Sequence, residues 1–113
     1  MKTKKTEQAS LAPTAASAAL AQCLIDVEDV TGVTSREILT RKRGYESTCL
    51  ARFFVYAMMR EHDHGFSLKQ IGDVMGRDHG AVISGLKTLR DRLSWEKKLK
   101  ARAKLLRAKG YAI

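Results

Sequence analysis

An all-α fold, a compact helical bundle with a helix-turn-helix inside it, is predicted by three observations on the sequence. Apolar residues recur at three- and four-residue spacing in one segment after another, and capping patterns of hydroxyl and carboxylate residues stand at the starts of several of these segments. No stretch alternates apolar and polar residues as a half-buried strand does. The chain has 113 residues, 44% hydrophobic, with one proline, which suits one small domain and a tail.

The elements follow in order. Residues 1–13 read as a disordered polar tail, because Lys, Thr, Gln and Ser bury too little surface to offset the entropy of ordering. A single helical domain is expected over 14–110. Its first helix, Thr14 to about Thr31, carries Ala16, Leu20, Cys23, Leu24, Val27 and Val30 on one stripe. Thr34-Ser35-Arg36-Glu37 is a capping box that opens a short helix with Ile38 and Leu39 inward, ending in Arg41-Lys42-Arg43-Gly44. From about Ser47 to Glu61, Leu50, Phe53, Phe54, Ala57 and Met58 give the strongest amphipathic signal, which makes this the core helix.

Ser67-Leu68-Lys69-Gln70 is a second capping box, and its helix carries Leu68, Ile71, Val74 and Met75 before stopping at Gly76. Asp78 caps the next helix, which keeps Val82, Leu86, Leu89 and Leu93 on one side with Ile83 beside them. Ser94 is expected to cap a last helix, Trp95 to about Lys109, with Leu99, Ala103 and Leu106 inward and six Lys or Arg outward. Gly110 ends it.

Charge narrows the partner. Lys and Arg number 21 against 12 Asp and Glu, a formal +9. Residues 1–33 carry a net −1 and the remaining 80 a net +10, so the basic charge belongs to the C-terminal region and points to a polyanion. Aromatic residues are 6%, too few for a platform of stacked single-stranded bases, so duplex nucleic acid fits better. No apolar run approaches the roughly 18 residues of a membrane span, and Lys2, Lys4 and Lys5 precede no apolar signal core, so a cytoplasmic location is expected.

Chemical sites are sparse. Cys23 and Cys49 match no disulfide scaffold or zinc knuckle and read as buried free thiols. His62-Asp63-His64 with His79 lacks a metal-site spacing and reads as a solvated helix end. No catalytic constellation stands out, and the chain is read as no enzyme, with no cofactor. The basic run of the last helix is either a solvated face or a set of phosphate contacts from Lys97, Lys98, Lys100, Arg102 or Lys104.

A short helix, a turn at Gly76 and a longer helix make a helix-turn-helix, whose second helix lies in the major groove. Gly72 allows close approach of the two helices, Gly76 tolerates positive φ, and Val82 plugs the junction. The outer face then displays His79, Gly80, Ala81, Ser84, Lys87, Thr88 and Asp91. Small residues near its start let the backbone approach bases, and the Ala81 methyl can meet a thymine methyl.

Gly76-Arg77-Asp78-His79 directly after Ile71-Gly72-Asp73-Val74-Met75 resembles the signature I-G-x-x-F/M-G-G-R-D-H-T-T-V. That signature belongs to the C-terminal DNA-binding domain of the bacterial replication initiator DnaA. The resemblance runs from about Val30 to Leu93 and takes in Leu39-Thr40-Arg41-Lys42-Arg43 and Ala51-Arg52. It implies a Trp-repressor-like fold and binding to short duplex sites similar to DnaA boxes. It also implies base contacts from Arg77, Asp78 and His79, Arg43 in the minor groove, and Arg52 on bases or phosphate.

The outer face adds Gly80, Ala81, Ser84 and Lys87 as base-contacting candidates, and Arg41, Lys42, Lys69, Thr88 and Arg90 join Arg52 as phosphate contacts. Gly80-Ala81 replaces the Thr-Thr of the signature, Phe53 follows Arg52 where a polar residue is usual, and one glycine precedes Arg77 rather than two. No G-x-x-x-x-G-K-S/T loop is present, so no nucleotide is expected to bind. The expected role is regulation of replication initiation or transcription by a nucleoid-associated protein of bacterial or phage origin. The alternative is a non-specific DNA-docking module whose residues 14–31 bind a second copy or a replication protein.

Overall fold

The structure is a computed structural model that describes residues 14–40, 44–62 and 65–113. Among the described residues it is all-helical, with α1 Ala15–Thr31, α2 Ser35–Leu39, α3 Glu46–Arg60, α4 Leu68–Met75, α5 His79–Leu93 and α6 Lys97–Ala108. The tail expected over residues 1–13 lies outside the described residues.

Local chemistry sets most of the helix starts. Thr34 Oγ1 accepts from the amide of Glu37 at 3.2 Å while Glu37 Oε1 accepts from the amide of Thr34 at 3.1 Å. Ser67 and Gln70 repeat the exchange at 3.1 and 2.8 Å, and Thr14 with Ser17 does so at the start of α1. Asp78 Oδ1 accepts from the amide of Ala81 at 2.9 Å.

Helix α3 is the axis of the bundle. Ten of its 15 residues are buried, because α1, α2, α4 and α5 all pack on it. Val27 of α1, Ile38 of α2, Phe54 and Met58 of α3, Ile71 of α4 and Val82 of α5 are fully enclosed in one core. Helix α6 adds Leu99, Ala103 and Leu106, the three positions expected from its periodicity, and rests on α1 and the adjoining α5. Cys23 and Cys49 are buried and form no disulfide.

Three expectations change. Leu39 is exposed, since a five-residue helix offers a single inward position and Ile38 fills it. On α1, Ala19 is buried while Ala16 and Val30 lie half-buried at the margin. Ser94 caps nothing that follows: its hydroxyl donates back to the carbonyl of Asp91 at 2.6 Å, and α6 begins at Lys97 behind Glu96 with no side-chain cap. Trp95 is left 61% exposed, its ring 5.8 Å from the Arg92 guanidinium.

Candidate nucleic-acid interface

The α4–turn–α5 hairpin is assembled from backbone chemistry that only particular residues permit. Gly76 ends α4 at φ +70, in the left-handed region. The amide of Arg77 donates to the carbonyl of Gly72 at 2.8 Å, and a Cβ on Gly72 would collide with the carbonyl oxygen of Arg77. Val82 is fully buried at the junction.

On the far side of α5, His79, Gly80, Ala81, Ser84, Lys87, Thr88 and Asp91 are all exposed. Gly80, Ser84, Lys87 and Asp91 form the centre of this face. Asp78 stands at its start with Oδ1 on the Ala81 amide, so one carboxylate oxygen serves the helix cap.

Arg77 is half-buried, and its Nη2 donates to the carbonyl of Thr40. This bond ties the helix-turn-helix turn to the end of α2, the point from which the chain enters residues 41–43. Arg41, Lys42 and Arg43 themselves lie outside the described residues, as do Asp63 and His64.

Arg52 corrects the expectation of a phosphate contact. It is 3% exposed; its Nε donates to the carbonyl of Ile38 at 2.8 Å and its Nη2 to that of Glu37 at 3.3 Å. These carbonyls belong to the last turn of α2, where intrahelical donors run out; that of Glu37 also accepts from the Thr40 amide at 3.4 Å. The guanidinium thus caps α2 from α3, and its side chain is withdrawn from the surface. Burial, and then the charge of Arg77, hold the Arg52 pKa below its ordinary value.

Arg52 and Arg77 line a cleft between α3 and α5, walled by Phe53 and Tyr56 on one side and Ala81, Ser84 and Gly85 on the other. Burial raises the Tyr56 pKa, with Arg77 and then Arg52 opposing. The close contact of α3 and α5 rests on Gly85: a Cβ there would lie 2.6 Å from Phe53 Cδ1 and 2.7 Å from Tyr56 Cε2. Sequence reading overlooked Gly85, although its place between Val82 and Leu89 on the apolar side of α5 was a signal.

The remaining phosphate candidates are dispersed. Lys69 Nζ is 2.9 Å from Asp73 Oδ2, an exposed i,i+4 pair of the kind that contributes about 0.3–0.5 kcal/mol. Thr88 borders Lys87 on the outer face, and Arg90 is exposed further round the helix. Sequence reading also missed Arg92, which joins Glu46 of α3 at 2.6 Å and Glu96 at 2.5 Å and so fixes the end of α5.

Among the described residues, no group of three or more His, Cys, Asp or Glu is placed to hold a metal ion, and no helix is long and apolar enough to cross a membrane. No protein-family model, no curated protein and no solved structure matches this chain.

Proposed function

We propose that the chain binds duplex DNA by placing α5 in the major groove, reads short sites similar to DnaA boxes, and thereby regulates replication initiation or transcription without ATPase activity. The observation that supports this most is the α4–turn–α5 hairpin, closed backbone to backbone at Gly72, which holds an exposed face of small and polar residues at the start of α5. Arg77, Asp78, His79, Gly80, Ala81, Ser84 and Lys87 are the residues assigned to base edges, with Arg43 in the minor groove. Arg41, Lys42, Lys69, Thr88 and Arg90 are assigned to phosphates. The motif carried by Ile71 to His79 favours the initiator-like target.

The test is a fluorescence-anisotropy titration with a box-like duplex, a scrambled duplex and a single strand at several salt concentrations. Preference for the box by roughly 10³ or more supports the reading. Equal affinity for both duplexes with a steep salt dependence overturns base reading.

One observation favours a second reading, in which the basic body docks without sequence preference and α1 recruits a second copy or a replication protein. Ile25 is 60% exposed on α1 beside Glu28 and Asp29. Light scattering on a sizing column decides between a monomer and a dimer built on that helix.

A further inference from the structure

The structure points to a second polyanion surface, separate from the helix-turn-helix. We propose that one flank of α6, the row Lys97, Lys100 and Lys104, is a sequence-indifferent contact for the phosphates of duplex DNA. This rests on the reading that the chain binds duplex DNA, but not on how α5 reads bases.

Four observations carry it. Helix α6 holds six Lys and Arg and no acidic residue between Lys97 and Ala108. Its inward side is fixed by Leu99, Ala103 and Leu106, all buried to within 1% exposure, so its cations stand on a rod held in place. At about 100° per residue, Lys97, Lys100 and Lys104 share one flank with Arg107, whose Nε donates to the carbonyl of Ile113, while Lys98 and Arg102 fall on the other, in line with Lys109. Lys109 Nζ lies 2.7 Å from Asp29 Oδ2, so the end of that other flank adjoins a carboxylate of α1.

The Lys97 row has no such compensation. Among the described residues, no carboxylate comes within ion-pair distance of these three ammonium groups, all exposed. The row spans about 10 Å at 1.5 Å per residue. A duplex presents one charge per about 1.7 Å of axis, so three lysines on flexible stems can each meet a phosphate. Leu105 is the one large exposed apolar side chain on α6 among the described residues, too little for burial in a lipid interface.

The test compares the full chain with K97Q/K100Q/K104Q and with K98Q/R102Q, measuring duplex affinity against salt. Gln is nearly as good a helix former as Lys, and far-UV circular dichroism checks that α6 persists. The triple variant should lower the slope of log K against log salt by about 2.7, at about 0.9 per phosphate lost, equally on box-like and scrambled duplexes. The double variant should leave the slope unchanged.

An unchanged slope in the triple variant overturns the proposal. So does a loss in both variants in proportion to the charge removed, which would mark a general field rather than a contact row. Loss of binding to anionic vesicles with an unaltered duplex slope assigns the row to a lipid surface instead and also overturns it. Failure of base reading is distinguishable: the wild-type chain would then not separate the two duplexes, yet the slope difference would still support the row. A wild-type chain that binds no duplex overturns both readings.

Discussion

Gly72 and Arg77 meet backbone to backbone: the Arg77 amide donates to the Gly72 carbonyl at 2.8 Å, and the space a Cβ on Gly72 would need is taken by the carbonyl oxygen of Arg77. A peptide oxygen within a closed turn cannot swing aside as a long side chain can. Gly72→Ala should therefore cost about 1–3 kcal/mol, the range for overpacked sites, read as a lower urea midpoint. Because the same contact sets the angle of α4 to α5, the variant should also lose preference between duplexes.

Gly80 and Gly85 separate folding from reading within one helix. Gly85→Ala pushes a methyl against the Phe53 and Tyr56 rings at 2.6–2.8 Å and should destabilise by about 1–3 kcal/mol. At exposed Gly80 the nearest heavy atom to a Cβ is Asp78 Oδ1, at 3.4 Å. Gly80→Ala should gain about 0.5–1 kcal/mol of helix stability in thermal or urea unfolding. If the backbone of α5 approaches bases there, the same variant weakens binding to the preferred duplex while leaving random duplex unaffected.

Legibility in the sequence followed the range of the interactions. The caps at Thr34, Ser67 and Asp78 were legible because they are written within four residues, and the inward faces of α4 and α6 because periodicity needs no knowledge of the partner. The Arg52 bonds to Ile38 and Glu37 were not, since they join residues 14 and 15 apart and a lone arginine at a helix start looks like a surface cation. The start of α6 was misread because Ser94 has the chemistry of an N-cap, and the competing acceptor, the Asp91 carbonyl at the end of α5, is in place only once α5 has formed.

Arg52 should act on stability. Arg52→Met keeps the aliphatic stem in the core but leaves the carbonyls of Ile38 and Glu37 without their charged donor. A hydrogen bond to a charged group contributes about 1.5–3 kcal/mol, and the longer bond, to a Glu37 carbonyl that the Thr40 amide also serves, adds less, so the loss should be about 2–4 kcal/mol. Arg52→Lys should recover only part, because an ammonium lacks the planar fork that reaches two carbonyls. A variant of unchanged urea midpoint whose salt slope on DNA falls would restore the phosphate role.

The C-terminal segment predicts an alkaline limit to stability. The Tyr111 hydroxyl donates to Asp26 Oδ2, next to Cys23 on the inward side of α1. Burial, supported by the charge of Asp26 and opposed by the Tyr111 hydrogen bond, pushes the Cys23 thiol up from 9.0 to about 11. Tyr111 is raised well above its ordinary value by burial and then by its bond to Asp26. A raised pKa means the folded state keeps a proton that the unfolded chain has already released. The contribution is therefore complete below pH 9 and is lost as pH rises through about 11, on the order of 2–3 kcal/mol for Cys23. Urea midpoints between pH 8 and 11 should fall for the wild type and fall less for Cys23→Ala.

Base and phosphate contacts should fail in different ways, and that difference tests the groove assignment most directly. His79 is exposed at the first position of α5, where a recognition helix meets base edges. Replacing it with Ala removes directional donors and acceptors, so His79→Ala should cost about 1–3 kcal/mol on the preferred duplex and little on random DNA, flattening discrimination. Lys42→Ala removes a point charge from the segment that follows Thr40 and should weaken all duplexes alike, lowering the salt slope by about 0.9. Anisotropy titrations of both variants on both duplexes give four affinities and two ratios. Equal losses on specific and random DNA for both substitutions would remove His79 from the bases and leave the chain a sequence-blind binder.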